Sequence, residues 1–413
     1  MSAAERRIGL GLVFLLLAGT LALGHALKAP CVSGEWKDGR QYTRLCYTDI
    51  GPLLGKERLT GDRLPYLDPC GTGAPGSCDE YPVLTMWTMR VAAWTSGADV
   101  ARFFYANAIL LWLAAFATAL CLYLMVGSRA LYFVLAPTLA IYATTNWDLV
   151  AVALTTAGTL AYLRRRDGWA GLLLGLGAAA KLYPALLVIP FVAGRLREGG
   201  AERGMRLVAA AAGTWVVVNL PFAIAGTSGW WEFFRYNTER TADWDSLWFV
   251  ACHRLTGELG CPVDWPADLG SAILFLTSVT IVWRLKARRD PAFSRWTLGF
   301  PILVLFLLSS KVYSPQFSLW LLPWFALALP NLGLFAAFEL ADVAVFVTRF
   351  SWFGTLGGLD SGLAGAPIGA FEIVVVIRAA ILVLCVVAWV RRTETRADAF
   401  APGAPAGVDG APA

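Results

Sequence analysis

Residues that could perform chemistry are concentrated in two polar segments of an apolar chain. The first segment contains LCYTDIGPLLG, with Asp49, followed by TGDRLPYLDP and DEYPV, and the second reads WWEFFRYNTERTADWDSLWF. Three isolated ionisable residues, Asp148, Lys181 and Lys311, stand at the ends of apolar runs. A carboxylate can take a proton from a hydroxyl group, and an ammonium group can hold a phosphate. These groups can act together only if the apolar runs bring them to one face of the protein.

The composition indicates that the apolar runs lie in a lipid bilayer. Of the 413 residues, 57% are hydrophobic and 15% are charged, and the mean hydropathy is +0.59. Soluble domains have about 45–50% hydrophobic and about 25% charged residues. This chain has too little polar surface to cover its apolar groups in water. The sequence predicts an all-α polytopic integral membrane protein, and it excludes a cytosolic enzyme and a disordered chain.

The apolar runs predict about twelve transmembrane helices in one membrane domain, residues 1–390. The first run, 8–27, is longer than the apolar part of a signal peptide, so we expect an uncleaved span, with a cleaved signal peptide as the alternative. Several later runs are shorter than the ~17–25 residues that cross a bilayer, which favours broken helices around a cavity. The further spans are 102–126, 129–146, 147–163, 169–181, 182–194, 205–225, 268–284, 297–310, 316–330, 332–350 and 367–390.

Short basic clusters between the runs predict the orientation. Arginine and lysine are enriched in cytoplasmic loops, and here they place both termini in the cytoplasm of a multi-pass plasma-membrane protein. Segments 28–101 and 226–267 then become extracytoplasmic loops, with 79–98 as a short helix on the outer membrane surface. The Ala/Pro/Gly-rich tail, 391–413, is expected to be disordered. The basic residues are scattered between spans, which argues against a nucleic-acid partner.

The cysteines give an independent indication of the same orientation. Six of the eight fall in the two loops predicted to be extracytoplasmic, where an oxidising compartment favours disulfides. Among the possible pairs, Cys252–Cys261 is the most favoured. The disulfide candidates are Cys31, Cys46, Cys70, Cys78, Cys252 and Cys261.

The order of several motifs resembles one enzyme family. Asp49, then Gly61 with Pro65-Tyr66, then Tyr81-Pro82 resembles the first outer loop of glycosyltransferase family 87, the polyprenyl-phosphate-mannose-dependent mannosyltransferases of the GT-C superfamily. The fragments GLLLGLGAAAKLYP and VYSPQFSLWLLP continue the resemblance, which is strongest to an actinobacterial-type branch. The NWD string at 146–148 and the insert between Cys70 and Cys78 depart from the family pattern. They leave the sugar and the acceptor open.

The resemblance implies a GT-C-like fold and sugar transfer on the extracytoplasmic face. A sugar, mannose, would move with inversion from a polyprenyl-phosphate donor to a lipid-linked or cell-envelope glycan acceptor. Asp49 occupies the position of the family's catalytic aspartate, and its alternative role is that of a turn or helix N-cap carboxylate. The donor phosphate would be held by Lys181, Lys311, Arg240 and His253, although the two lysines could instead extend to the membrane interface.

Further polar and aromatic residues are candidates for sugar or acceptor binding. Asp243 and Asp245 form a D-x-D string that could ligate a divalent cation, but two carboxylates do not specify a metal site, so we expect sugar contacts and neither a metal nor another cofactor. The candidates are Tyr66, Tyr81, Asp148, Glu239, Asp243, Asp245, Trp248, Tyr313 and Gln316.

Two other classes of protein remain open from the sequence. A transporter or flippase would need structural repeats and polar residues at the bilayer midplane, whereas polarity here is concentrated in loops. A non-catalytic scaffold would tolerate single carboxylate changes in these loops. The charges within the last spans, Glu339, Asp342, Glu372 and Arg378, are interpreted as an inter-helix ion pair of Arg378 with Glu339 or Asp342 and not as the active site.

Overall fold

The computed structural model describes residues 8–70, 78–260 and 265–393. This part of the chain is helical and contains no β-strand. Its α-helices are α1 (Leu10–Val32), α2 (Arg40–Thr43), α3 (Ile50–Lys56), α4 (Val83–Ser96), α5 (Val100–Val126), α6 (Leu131–Val134), α7 (Pro137–Tyr142), α8 (Asp148–Leu163), α9 (Asp167–Ala180), α10 (Tyr183–Arg197), α11 (Ala201–Ala225), α12 (Thr227–Glu239), α13 (Leu247–Thr256), α14 (Trp265–Arg289), α15 (Gly299–Ser309), α16 (Leu322–Leu327), α17 (Leu332–Leu356) and α18 (Ile368–Arg391).

Five helical stretches of the described residues are long and apolar enough to cross a membrane. They are Leu10–Val32, Val100–Val134, Ala201–Ala225, Asp268–Arg289 and Ile368–Arg391. Two shorter apolar stretches, Asp148–Leu163 and Arg295–Ser309, accompany them. The described part of the chain is therefore all-helical and has the apolar helices of a membrane protein. The predicted number of twelve spans stays a prediction.

One predicted span, 129–146, is wrong as a continuous helix. It is divided into a 3₁₀ turn over Gly127–Ala130 and the short helices α6 and α7. Ala136 is extended, with ψ 121°, because the following Pro137 disfavours the helical conformation of its neighbour and starts a new helix. Segment 316–330, one of the runs too short to cross a bilayer, is divided into a 3₁₀ turn, Pro315–Trp320, and α16, which agrees with the prediction of broken helices.

The short runs 169–181 and 182–194 form a broken pair of helices, as predicted. Helix α9 ends before Lys181, which is extended with φ −151° and ψ 141°, and α10 begins at Tyr183. The break leaves Lys181 between two helix ends, where its side chain can leave the bundle interior. Lys311 lies in a similar break, between α15 and the 3₁₀ turn that begins at Pro315.

Glycines set the close approach of α9 to α11. A Cβ atom at Gly171 would lie 2.3 Å from the carbonyl oxygen of Leu207, and one at Gly175 would lie 2.4 Å from that of Ala211. The four-residue spacing places both glycines on one face of α9, as in small-residue interfaces of membrane helices. The glycines of the GLLLG fragment thus fix the helix that ends at Lys181.

Replacing Gly175 by leucine should destabilise this helix pair. A larger side chain forces the two backbones apart, and overpacking typically costs about 1–3 kcal/mol. We expect a lower apparent Tm and a smaller monodisperse fraction of the detergent-purified protein. Gly19→Leu in α1 is the matched control, since among the described residues no atom lies within 4 Å of a Cβ there. Equal Tm values for the two variants would contradict this account of the interface.

Two disulfides are present in the described residues, Cys31–Cys46 and Cys70–Cys78. They confirm the prediction of disulfides for the first loop, and the former ties the end of α1 to the segment before Asp49. Cys261 lies outside the described residues, so its pair with Cys252 stays a prediction. The predicted tail also lies outside them from residue 394 onward.

Candidate functional site

A cavity of about 780 Å³ opens where the broken helices and the two polar segments meet. Its walls come from α3, the segment before α4, the turn before α8, the α9–α10 break and α12. The first turns of α14, the end of α15 with the segment that follows it, and α17 complete them. The polar and charged residues of the wall are Tyr47, Asp49, Lys56, Glu80, Tyr81, Asn146, Lys181, Tyr183, Tyr236, Asn237, Arg240, Asp268, Ser271, Ser309, Ser310, Lys311, Ser314, Gln316 and Arg349.

Asp49 is held at the cavity wall by two hydrogen-bond donors. It occupies the N-cap position of α3, yet its side chain makes no capping hydrogen bond. The Tyr47 hydroxyl donates to Oδ1 at 2.6 Å, and Nδ2 of Asn146 donates to Oδ2 at 2.9 Å. The backbone N–H of Asp49 donates to the Thr145 carbonyl at 2.9 Å. The carboxylate is therefore oriented toward the cavity and does not cap the helix.

Asn146 and Tyr81 connect this carboxylate to the surroundings of Lys181. Nδ2 of Asn146 also donates to the Tyr81 hydroxyl at 2.9 Å. The Lys181 ammonium lies 5.5 Å from the centroid of the Tyr81 ring and 5.1 Å from that of Phe317. Its Nζ is 3.4 Å from Oδ2 of Asp148, a fully buried carboxylate behind the cavity wall. The ion pair with Asp148 and the two aromatic rings thus orient the Lys181 side chain toward the cavity.

The other cations of the wall are also paired. Nζ of Lys311 is 2.9 Å from Oδ1 of Asp268 and donates to the Thr238 carbonyl at 2.9 Å. Nζ of Lys56 is 2.7 Å from Oε2 of Glu80. The guanidinium of Arg240 is 3.1 Å from Oδ2 of Asp243.

The fifth cation, Arg349, comes from the apolar helix α17. Its guanidinium donates to Oδ1 of Asp245 at 2.6 Å and lies 3.4 Å from Oδ1 of Asp243. The five cations of the wall therefore come from widely separated parts of the chain, and the fold brings them to one cavity.

The D-x-D string is engaged in a buried ion-pair network. Asp243 also accepts a hydrogen bond from the Ser314 hydroxyl at 2.7 Å, and Arg378 lies 3.8 Å from Oδ2 of Asp245. Burial alone would raise the pKa of Asp243, but the guanidinium groups of Arg349 and Arg240 outweigh it and hold that pKa below its ordinary value. Burial raises the pKa of Asp245 to about 6, against the opposing effect of Arg349 and Arg378.

The string therefore positions cations of the cavity and does not itself line the wall. Arg378 also pairs with Asp342 at 2.9 Å, which confirms the predicted inter-helix ion pair. The network thus ties the D-x-D loop to α17 and α18, and it fixes Arg240 and Arg349 relative to the helix bundle.

The structure brings six of the fourteen predicted catalytic, phosphate-binding and sugar-binding residues to the cavity wall: Asp49, Tyr81, Lys181, Arg240, Lys311 and Gln316. The others have partners elsewhere. Asp148 supports Lys181 and accepts from Nε1 of Trp320 at 2.8 Å, and Asp243 and Asp245 belong to the ion-pair network.

Five further predicted residues lie away from the cavity wall, and their polar groups contact other parts of the protein. The Tyr66 hydroxyl donates to the Tyr81 carbonyl at 2.7 Å, and Nε1 of Trp248 donates to that of Ser309 at 2.8 Å. Glu239 pairs with the exposed Arg235 at 2.6 Å. Nδ1 of His253 lies 2.6 Å from Glu372, and the Tyr313 hydroxyl is bonded to Ser318 at 3.2 Å.

Several polar residues of the wall were not predicted from the sequence, among them Tyr47, Lys56, Asn146 and Arg349. Arg349 had a usable signal, since an arginine within an apolar helix is rare without a function. Tyr47 and Asn146 had none, because only the fold shows that they share the Asp49 carboxylate. Lys56 stands among many loop charges, and its sequence context does not distinguish it.

Comparisons with known proteins place the chain in a family. The sequence profile of glycosyltransferase family 87 matches residues 80–310, a range that contains Lys181 and Arg240 but not Asp49. A crystal structure of ArnT from Cupriavidus metallidurans in the apo state aligns with a TM-score of 0.39 and 14% sequence identity, over 76% of this chain and 66%, just under two thirds, of that chain. No curated protein matches. Because the family profile matches more than half of its length, the chain belongs to glycosyltransferase family 87.

Proposed function

We propose that this membrane glycosyltransferase moves mannose from a polyprenyl-phosphate donor to a lipid-linked or cell-envelope glycan acceptor. The observation that supports it is a single cavity in which an oriented carboxylate, several cations and an apolar wall occur together. An acceptor hydroxyl needs a base, a departing phosphate needs positive charge, and an isoprenoid chain needs an apolar surface. A soluble nucleotide sugar has no isoprenoid chain and would not need the apolar surface.

The apolar wall begins directly beside Lys181. The Phe317 ring under the ammonium stacks on Trp320, with centroids 4.1 Å apart. From there rings continue through Phe306, 6.5 Å from Trp320, to Phe275 of α14, 5.9 Å from Phe306. Outward-facing residues of α14 such as Ile273 and Leu276 are 56% and 63% exposed, as suits a helix in contact with lipid. This path would let a lipid tail remain in the bilayer while its phosphate reaches the cations.

The reaction follows from these groups as a direct displacement. The acceptor hydroxyl oxygen attacks the anomeric carbon and forms the new glycosidic bond, while the bond from that carbon to the phosphate oxygen breaks. The hydroxyl proton passes to the Asp49 carboxylate. The polyprenyl phosphate leaves with the bonding electrons, and Lys181 and Arg240 stabilise its growing negative charge. Attack opposite the leaving group inverts the anomeric configuration.

Two observations support a position of the cavity on the extracytoplasmic face: the distribution of basic residues and that of the disulfides. The basic clusters lie at the opposite ends of the predicted spans, as the positive-inside rule requires of cytoplasmic loops. Both described disulfides belong to the predicted loop 28–101, and disulfides persist in oxidising compartments. Nucleotide sugars are absent from that side, which again favours a lipid-linked donor.

The test is transfer of labelled sugar by membranes that contain the protein. We expect polyprenyl-phosphate mannose to label a glycolipid or glycan in these membranes and not in matched membranes without the protein. Polyprenyl-phosphate arabinose serves as the second donor. Labelling from arabinose alone would show that the sugar is wrong while the donor class is right. Labelling from neither donor would contradict the proposal.

A further inference from the structure

Lys28 is a buried lysine that the catalytic scheme above does not use. It lies near the end of α1 and is 1% exposed. Its Nζ donates to the backbone carbonyl of Tyr47 and to Oγ1 of Thr145, the latter at 3.3 Å. The face of the Phe346 ring lies 5.3 Å from the ammonium. Lys28 does not line the cavity, so it cannot touch a substrate there.

The two segments that Lys28 joins are those that hold the Asp49 carboxylate. Tyr47 belongs to the first segment, and its hydroxyl donates to Oδ1 of Asp49. Thr145 belongs to the second segment and precedes Asn146, which donates to Oδ2. The same segments are linked by the Asp49 N–H to the Thr145 carbonyl and by the Thr48 hydroxyl to the Thr144 carbonyl at 2.7 Å. Lys28 therefore joins the two segments that carry Tyr47 and Asn146, the hydrogen-bond donors to Asp49, on the side away from the cavity.

Burying an ammonium group is costly unless other groups compensate it. Two hydrogen bonds and an aromatic face compensate part of this cost. A hydrocarbon side chain could fill the same space without this desolvation, but it would lack the hydrogen bonds to Tyr47 and Thr145. The amino group is thus placed where it joins the two segments that hold Asp49.

The geometry points to Lys28 as a positioning residue for the catalytic base: its hydrogen bonds join the segment of Tyr47 to that of Asn146, the two donors to the Asp49 carboxylate. This role rests on the proposed function, in which Asp49 takes the acceptor proton. Loss of Lys28 should impair the chemical step and leave donor binding at the other cations intact.

The experiment compares Lys28→Met, Lys28→Arg and wild type in detergent-purified, monodisperse form, with kcat and donor KM measured separately. We expect Lys28→Met to lower kcat about 100-fold, the cost typical of a misplaced reacting group, with donor KM within about twofold. Lys28→Arg, which can still donate hydrogen bonds to both segments, should recover part of the lost kcat.

Lys286→Met is the matched control, because Lys286 is also 1% exposed but pairs with Asp290 at 3.3 Å, away from the cavity. It should leave kcat and donor KM unchanged. If Lys28→Met does not yield monodisperse protein, Thr145→Val replaces it, since this change removes one acceptor of the ammonium and should lower kcat at constant KM.

Three outcomes would overturn the role of Lys28. One is a wild-type kcat in Lys28→Met. Another is a wild-type kcat in Thr145→Val, if that variant has replaced Lys28→Met in the experiment. The third is a defect confined to donor KM. Absence of transfer by wild type would instead overturn the proposed function, and with it this role.

Discussion

Asp49→Asn should lower kcat for sugar transfer by about 100- to 10,000-fold, the range attributed to a positioned general base. The amide has nearly the shape of the carboxylate but cannot accept the hydroxyl proton. The donors on either side, Tyr47 and Asn146, remain in place, so the folded structure should survive. Donor KM should change little, because the cations that would hold the phosphate are untouched. The measurement is steady-state transfer from purified polyprenyl-phosphate mannose at matched protein amounts.

The control for this variant is Asp62→Asn, an exposed carboxylate of the same loop that does not line the cavity. It should retain wild-type kcat and wild-type KM. Wild-type kcat in Asp49→Asn would remove Asp49 from the role of base while leaving membership of the family unaffected. Loss of activity in both variants would instead indicate that the loop is sensitive to any change of charge.

Lys181→Met should raise donor KM and lower kcat together, with kcat/KM reduced by about 100- to 1,000-fold. A single group that stabilises developing negative charge has an effect of this size. The phosphate carries negative charge in the bound donor and gains more as it leaves, so both constants should respond. A donor titration with the purified variant measures the two separately. If donor KM and kcat are unchanged in Lys181→Met, Lys181 does not bind the donor phosphate, and its side chain only extends to the membrane interface.

The partner of Lys181 provides the control for an indirect effect. Lys181→Met leaves Asp148 buried without its ion-pair partner, and breaking such a pair typically costs about 3–5 kcal/mol. The double variant Lys181→Met/Asp148→Asn removes the stranded charge. Its thermal stability should recover relative to the single variant, whereas its donor KM should stay high. Recovery of KM as well would show that Lys181 acts only by neutralising Asp148.

The sequence could predict the parts of the site that depend on chain order. Lys181 and Lys311 each stand where a short apolar run ends, and short runs indicate broken helices. Both lysines do lie in such breaks and line one cavity. Hydropathy also predicts the apolar helices, because the length needed to cross a bilayer leaves a direct mark on the sequence.

Contacts between distant segments could not be predicted in this way. The D-x-D string of Asp243 and Asp245 is typical of a sugar or metal site. No feature of the sequence near it indicates that Arg349, about a hundred residues away, is its partner. The division of 129–146 at Pro137 could not be predicted either. Proline is tolerated within membrane helices when neighbouring groups satisfy the backbone hydrogen bonds, so its presence alone does not indicate a break. In both cases tertiary packing, which a single sequence does not report, decides the outcome.

The pairing of all five cations has a consequence for how a charged ligand enters and leaves. Lys56, Lys181, Arg240, Lys311 and Arg349 each have a carboxylate of the protein within ion-pair distance. Binding of a phosphate is then an exchange of counter-ions, in which the incoming anion competes with a resident one. Under the proposed function, the displaced carboxylates would be available to repel the lipid phosphate after transfer. This arrangement would weaken binding of the anion and favour its release into the membrane.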